Sequence, residues 1–307
     1  MRSPAMFAIA AALIAGVTPA LAGNLTFTTI DNPADPTFNQ LLGIDNAGTI
    51  AGYFGSGQAG HPNQGYTISP PYKAFVPANA PGSVQTQLTG ITNDGYSTGF
   101  WAPTNTGMDA NFGFVRFKTR QGFSYVDVND PLAASTPLVN QVLGINKFGI
   151  AAGFYNDANG NPHGFVYNAL TAQYAPFNIG GEPSDAATGI NNNNLVSGFF
   201  TDSAGATLGF LKPLSGGIAV KFKVPGASVT QFLGVNNRGE AVGFYIGKDT
   251  FPHGIFWNSA TDVLRYIDDP NGAMGTTVNG LNDRGQLVGF YTDAAGNTHG
   301  MLVTGVK

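Results

Sequence analysis

Residues 234–245 read GVNNRGEAVGFY, and this pattern occurs six times along the chain. Each copy begins with Gly and an aliphatic residue, continues through a four-residue turn, and ends in Gly followed by two aromatic residues. Successive copies start 45 to 54 residues apart, at Gly43, Gly90, Gly144, Gly189, Gly234 and Gly280. Self-similarity at such a period is the signature of a repeat architecture.

Each repeat predicts four short β-strands. In the fifth repeat, apolar residues 231–235 form the first strand and residues 240–245 the second, and an Asn-x-x-Gly turn joins them. Asn and Gly both tolerate a positive φ, so this turn closes a tight hairpin. In the fourth repeat Asn194 stands where the other repeats have Gly. A third strand begins at His253-Gly254, and residues 263–267 form the fourth.

Six repeats of four antiparallel strands predict an all-β fold, a six-bladed β-propeller of four-stranded antiparallel blades. A β-solenoid would have shorter repeats and parallel strands, and a β-sandwich needs no repeat. The last repeat stops after its third strand, while residues 25–33 resemble the fourth strand of the fifth repeat, at 263–270. We therefore expect the N-terminal strand to complete the last blade and close the ring, which pairs an otherwise exposed edge.

The first 22 residues have the pattern of a secretory signal peptide. A short basic start at Arg2 precedes an apolar stretch at 6–17, and Ala20-Leu21-Ala22 is a small-x-small cleavage signal. The apolar stretch is too short for a membrane-spanning helix. We expect cleavage near Ala22, a single six-repeat domain over 23–307 without a membrane span, and a secreted or periplasmic product.

The repeat, followed by a His-Gly-Phe tripeptide, resembles the probable extracellular repeats of the HAF family, which is named after a His-Ala-Phe tripeptide. The corresponding positions are His163-Gly164-Phe165, His253-Gly254-Ile255 and His299-Gly300-Met301, and in degenerate form Lys73-Ala74-Phe75, Phe112-Gly113-Phe114 and Leu208-Gly209-Phe210. The resemblance covers the whole chain after the signal peptide. It implies a repeat type and export, and it implies no activity.

Composition excludes several classes of protein. The chain has 43 Gly and no Cys, so disulfides, thiolate nucleophiles and Cys-ligated metals are absent. The formal net charge is −4, with no basic excess of the kind that a duplex nucleic-acid binder carries. We expect no nucleic-acid partner.

In a propeller, the long and variable loops lie on the face opposite the tight Asn-x-x-Gly turns. Loops are the usual location of binding residues, and the tight turns leave little room for a site. The longest loops predicted are residues 55–72 and 129–140. The candidate binding residues on this face are His61, Tyr66, Tyr72, Asp130, Glu182 and Asp268.

Catalytic and metal-binding patterns are weak. Glycoside hydrolysis needs a pair of carboxylates, and the candidates are Glu182 and Asp269, whose separation the sequence does not set. His163, His253 and His299 occupy equivalent repeat positions, so a propeller would spread them around its ring. A bond from each imidazole to its own repeat's loop is favoured over a shared metal site.

No cofactor is predicted. Asp157-Ala158-Asn159-Gly160-Asn161 is similar to a calcium loop. No acidic residue completes it, and related sequences at Asp202 and Asp293 indicate a β-turn instead. An Asx-turn, in which Asp bonds its own backbone, is favoured over calcium.

These observations favour a binding or interaction module over an enzyme, with a glycan or a cell-surface protein as its ligand. Two alternatives stay open: a polysaccharide-active hydrolase or lyase on the same scaffold, and a structural envelope component.

Overall fold

The structure is a computed structural model that describes residues 25–306, and the predicted signal peptide lies outside these residues. The described chain is all β, with no helix. None of its elements is therefore a helix of the length and apolarity that crossing a membrane requires.

The strands follow one another in the order that the repeats predict. The first repeat contains β2 (Asn39–Ile44), β3 (Ile50–Phe54), β4 (Gln64–Ile68) and β5 (Phe75–Pro77), and the second β6 (Gln85–Ile91), β7 (Tyr96–Ala102), β8 (Phe112–Thr119) and β9 (Gly122–Asp127). The third contains β10 (Asn140–Ile145), β11 (Ile150–Asn156), β12 (Pro162–Asn168) and β13 (Gln173–Pro176), and the fourth β14 (Ser184–Ile190), β15 (Leu195–Thr201), β16 (Thr207–Pro213) and β17 (Val220–Phe222). The fifth contains β18 (Val229–Val235), β19 (Glu240–Ile246), β20 (Pro252–Asn258) and β21 (Val263–Tyr266). The sixth contains β22 (Thr276–Leu281), β23 (Leu287–Thr292) and β24 (Thr298–Thr304), and β1 (Thr26–Thr29) precedes all of them.

Within each repeat, consecutive strands pair antiparallel, which gives a series of four-stranded sheets. One parallel bridge between Thr207 and Val229 joins the sheets of the fourth and fifth repeats. In the sixth sheet the outer strand is β1, which pairs antiparallel with β24 from Thr26↔Thr304 to Thr29↔Met301. The N-terminal segment thus occupies the position that its likeness to the fourth strand of the fifth repeat predicts.

The glycine that begins each copy of the pattern lies where two neighbouring sheets come close together. A Cβ atom on Gly43 would lie 2.6 Å from the backbone oxygen of Thr89 in the second repeat. A Cβ atom on Gly280, in the sixth repeat, would lie 2.6 Å from the backbone oxygen of Leu42 in the first. Because such contacts leave no room for a side chain, these positions require glycine.

The apolar core consists of clusters, each formed by two successive repeats. Phe232 and Trp257 of the fifth repeat stack on Phe222 of the fourth, with ring centroids 5.5 and 4.7 Å away. Another cluster combines Leu41 of the first repeat with Val288 of the sixth. Each fully buried aromatic or aliphatic side chain of this kind contributes about 1.5–3 kcal/mol. The repeats are therefore held to one another by their cores.

In the first repeat, the third strand lies where the sequence predicted a loop. The predicted loop at residues 55–72 contains strand β4, in which Gly65 pairs with Tyr53 of β3. The same pairing joins Gly254 to Phe244 in the fifth repeat. The third-strand tripeptide of the first repeat is therefore Gln64-Gly65-Tyr66, whereas Phe75 belongs to the outer strand β5. The prediction failed because Gln64 replaces the histidine here, and because Lys73-Ala74-Phe75 matches the His-Ala-Phe tripeptide better than Gln64-Gly65-Tyr66 does.

Candidate functional site

The turn between the first two strands is fixed by its own Asn or Asp side chain in five repeats, and by Thr92 in the second. In the fifth repeat, Oδ1 of Asn236 accepts hydrogen bonds from the backbone N–H groups of Arg238 and Glu240, at 3.0 and 3.1 Å. We call this residue and its equivalents the inner turn positions. They are Asp45, Thr92, Asn146, Asn191, Asn236 and Asn282. A short side-chain acceptor at this position explains why the sequence places Asn or Asp here.

The inner turn positions also connect successive turns. The Nδ2 group of Asn146 donates to the backbone oxygen of Asn191 at 3.2 Å, and Asn191 donates in the same way to Asn236 at 2.7 Å. Asn236 donates to Asn282 at 3.3 Å, and Asn282 to Asp45 of the first repeat at 2.9 Å. Asp45 and Thr92 have no side-chain amide to continue this series.

The residue that follows each inner turn position forms a second series. We call these residues the outer turn positions. They are Asn46, Asn93, Lys147, Asn192, Asn237 and Asp283. In five of the six steps, the backbone N–H of one outer turn position donates to the Oδ1 atom of the next, at 2.8 to 3.0 Å. The missing step is the one from Asn93 to Lys147, because a lysine side chain has no oxygen.

These turns surround a cavity of about 350 Å³, which we call the turn-end cavity. Its inner end is lined by one aliphatic side chain from each repeat: Ile44, Ile91, Ile145, Ile190, Val235 and Leu281. Its mouth is lined mainly by the inner and outer turn positions together with Asp94. Twelve of the eighteen lining residues are polar, so the cavity is mostly polar with an aliphatic inner end. Its volume lies in the range of small-ligand sites.

The charges at the mouth are three carboxylates, of Asp45, Asp94 and Asp283, and the ammonium group of Lys147. Burial raises the pKa of Asp283, but this effect is outweighed by hydrogen bonds from Asn46 and Asn237 and by the nearby charge of Arg238. The pKa of Asp283 therefore lies below its ordinary value, and the group is ionised at neutral pH. The mouth is polar and weakly acidic.

The seven residues that the sequence predicted for a site line no part of this cavity. Nε2 of His61 lies 2.6 Å from Asp35. Tyr66 is a core residue of β4, 1% exposed. Tyr72 donates its hydroxyl to the backbone oxygen of Gly48 at 3.0 Å, which places it at the turn end.

The carboxylates among these candidates are each held by local or neighbouring groups. Asp130 and Asp269 are buried and accept hydrogen bonds from backbone N–H groups two residues further on. Asp268 contacts His253 at 3.0 Å, and Glu182 contacts Lys221 at 2.6 Å. Within residues 25–306, no hydrogen bond or ion pair joins two of the seven.

The three equivalent histidines each contact aspartates of their own sheet. His163 contacts Asp157 at 3.2 Å, and His253 contacts Asp249 at 2.7 Å. His299 contacts Asp293 at 3.3 Å and Asp31, which follows β1, at 2.7 Å. Each imidazole thus forms a hydrogen bond with the loop of its own repeat, as predicted from the sequence.

The calcium-like loop has the hydrogen bonds of an Asx-turn. Oδ1 of Asp157 accepts from the backbone N–H groups of Asn159 and Asn161, at 2.8 and 2.9 Å. Among the described residues, no group of three or more His, Asp or Glu side chains is arranged to hold a metal ion.

Sequence reasoning missed the turn-end cavity because it treated each tight turn as closed. Each turn by itself offers little space, but six of them together surround a volume that no single turn suggests. The signal that could have indicated it was the run of polar side chains at the outer turn positions.

Comparison with solved structures identifies the kind of fold. AofleA from Arthrobotrys oligospora matches with a TM-score of 0.54 at 10% identity, over 91% of this chain and 86% of that one. TolB from Acinetobacter baumannii matches with a TM-score of 0.51 at 8% identity, over 83% of this chain. The match spans 63% of that TolB chain, less than two thirds of its length. The fold is β-propeller-like. At sequence identities of 8 and 10%, these similarities support the fold alone. No protein-family model matches the chain, and no curated protein matches it.

Proposed function

We propose that the protein is an exported HAF-type repeat protein whose six repeats form a closed six-bladed β-propeller. Contacts that run from each repeat to the next, and from the sixth to the first, support the closed ring. Among them are the Asn282–Asp45 hydrogen bond and the close approach of Gly280 to Leu42. The antiparallel pairing of β1 with β24 supports completion of the last blade by the N-terminal strand. The signal-peptide pattern of residues 1–22 supports export.

On this scaffold, we propose a binding module for a glycan or a surface protein, with the turn-end cavity as its binding site. The observation that carries the proposal is the convergence of polar side chains from six repeats on one cavity of about 350 Å³ with an aliphatic interior. The fixed turns support a preformed site, which reduces the entropy lost on binding. The candidate carboxylates Glu182 and Asp269 lie elsewhere and are engaged by other groups, so no observation favours a hydrolase.

A binding screen tests this function. Purified protein, produced from the full sequence, would be applied to an array of glycans and surface proteins. We expect at least one specific ligand, whose binding is lost in Lys147→Met at the mouth of the cavity. The matched control is Lys248→Met, which changes an exposed lysine in the loop between β19 and β20. Absence of any ligand, or equal loss in both variants, would contradict the proposal.

A further inference from the structure

At the mouth of the turn-end cavity, both series of turn-to-turn hydrogen bonds are interrupted between the second and third repeats. Between the first and second repeats only the inner series is interrupted, because Asn46 N–H still donates to Asn93. Thr92 uses its hydroxyl within its own turn, where it accepts from Tyr96 N–H at 3.2 Å. Lys147 offers no acceptor to Asn93, and the backbone N–H of Asn93 has no protein partner within residues 25–306. We call the space between Asn93, Asp94 and Lys147 the turn gap.

The polar side chains around the turn gap form no hydrogen bonds with one another within the described residues. The carboxylate of Asp94 is exposed and accepts no hydrogen bond from the described part of the chain. Nδ2 of Asn192, next along the mouth, donates none there either. By contrast, Asn46 and Asn237, on the far side of the mouth, both donate their side-chain amides to Asp283, at 2.8 and 2.7 Å. Free donors and a free acceptor are therefore concentrated on one side of the cavity.

The chemistry of these groups selects among ligands. The gap offers donors from Asn93, Lys147 and Asn192, and an acceptor from Asp94, so a ligand there must both accept and donate. Hydroxyl groups do both. Three carboxylates at the mouth disfavour an anion, and the ammonium group of Lys147 disfavours a cation in the gap itself. The aliphatic interior suits the C–H face of a ring.

We propose that the turn gap binds a neutral saccharide, an inference that rests on the binding function proposed above. The Asp94 carboxylate accepts hydrogen bonds from adjacent sugar hydroxyls, while Lys147 and the backbone N–H of Asn93 donate to sugar oxygens. The rest of the ring packs toward Ile91 and Ile145. Specificity for a neutral sugar comes from the mixed charge at the gap.

Calorimetric titration of the full protein with defined sugars tests the proposal. The neutral probes are glucose, galactose, mannose, fucose, N-acetylglucosamine and their β1,4 and α1,4 disaccharides. The charged probes are the uronate or the 2-amino-2-deoxy form of each of these sugars. We expect at least one neutral probe to bind, and the charged analogue of the same sugar to bind at least tenfold more weakly. Equal binding of a charged analogue, or binding of none of the neutral probes, would overturn the inference.

Two isosteric variants locate the sugar. Asp94→Asn removes the charged acceptor, and Asn192→Asp removes a donor but keeps the Oδ1 atom that accepts from Lys147 N–H. Asp94→Asn is expected to weaken binding about tenfold, since hydrogen bonds to charged groups are among the strong ones. Asn192→Asp removes a neutral donor, so it is expected to weaken binding by a smaller factor. The control is Asp202→Asn in the loop between β15 and β16, which retains the Oδ1 acceptor of its Asx-turn.

The outcomes distinguish saccharide binding in the turn gap from the proposed binding function on which this inference rests. Unchanged sugar binding in both variants would overturn the turn gap as the site. If a surface protein binds and Lys147→Met abolishes that binding, while no sugar binds, the saccharide inference fails and the binding module stands. If neither class of ligand binds, both fail.

Discussion

The Nδ2 group of Asn282 in the sixth repeat donates a hydrogen bond of 2.9 Å to the backbone oxygen of Asp45 in the first, 237 residues away in sequence. The same side chain fixes its own turn, because its Oδ1 atom accepts from the N–H groups of Arg284 and Gln286. One buried amide thus holds a turn in shape and holds two distant repeats together.

Replacement of this amide should destabilise the protein. Asn282→Ala leaves the partly buried N–H groups of Arg284 and Gln286 without their acceptor and removes the hydrogen bond to Asp45. We therefore expect a loss of about 1–3 kcal/mol in the free energy of unfolding. Urea unfolding followed by tryptophan fluorescence measures it. Asn271→Ala is the matched control, because Asn271 is exposed and its side chain forms no hydrogen bond within residues 25–306. A control loss as large as that of Asn282→Ala would refute this account.

A methyl group should not be tolerated where the sixth repeat meets the first. In Gly280→Ala the new Cβ atom would lie 2.6 Å from Leu42 O and 3.2 Å from Val288 Cγ2. We expect a loss of about 1–3 kcal/mol from overpacking, measured by urea unfolding. Gly247→Ala is the control, because its nearest neighbours lie at 3.6 Å and its backbone is not left-handed. Equal stability of the two variants would mean that the sixth and first repeats are not in contact.

Closing the turn gap should stabilise the protein and abolish ligand binding. Lys147→Asn restores a side-chain acceptor for the unpartnered N–H of Asn93, as in the other outer turn positions. We expect a gain of about 0.5–1.5 kcal/mol. Thermal unfolding with and without sugar measures both effects, and Lys248→Asn is the control for loss of a positive charge. A variant that is no more stable than the parent would show that Asn93 N–H is well satisfied without a protein partner.

Stability should depend on pH through His299. Burial lowers the pKa of this imidazole, but its hydrogen bonds to Asp31 and Asp293 outweigh that effect and raise the pKa above 6.5. A raised pKa stabilises the fold below pH 6.5, and the contribution disappears as the pH rises through the folded-state pKa. Unfolding in urea between pH 5 and 9 should show this loss, and His299→Gln should flatten it. The same slope in the variant would assign the pH dependence to another group, such as His253, whose pKa is also raised.

At low pH the stability should depend on pH in the opposite direction, because it is controlled by a carboxylate with a lowered pKa. Asp293 has a pKa of about 2, because backbone N–H of Asn297 and other local donors bond its ionised form. Such a group stabilises the fold above its unfolded-state pKa, and this contribution is lost as the pH falls from about 4 toward 2. Asp293→Asn should therefore reduce the steepness of acid unfolding, measured by circular dichroism. The matched control, Lys248→Met, leaves this carboxylate in place and should retain the parent's acid slope.

Acid unfolding that is equally steep in Asp293→Asn would contradict the role given to this carboxylate.

Much of the fold could be predicted from the sequence because each repeat carries its own local signals. The predicted positive φ at the last turn position is confirmed at Asn194, which adopts a φ of 57° where the other repeats have glycine. Strand β4 was missed because Gln64 replaces the histidine and Lys73-Ala74-Phe75 offers a closer match to the tripeptide. The turn-end cavity was missed for a different reason. A site assembled from one side chain per repeat depends on distances between repeats, and no local pattern encodes those distances.

The pairing of β1 with β24 has a consequence for how the chain folds. The backbone N–H of Gly300 donates to Asp31 across 269 residues, so the outer strand of the sixth sheet pairs with a segment that is very distant in sequence. Contacts of such high sequence separation slow folding. In each of the other sheets the paired strands lie close together in sequence. The sixth sheet is therefore the one whose completion requires the longest loop to close, and it bears the largest entropic cost of closure.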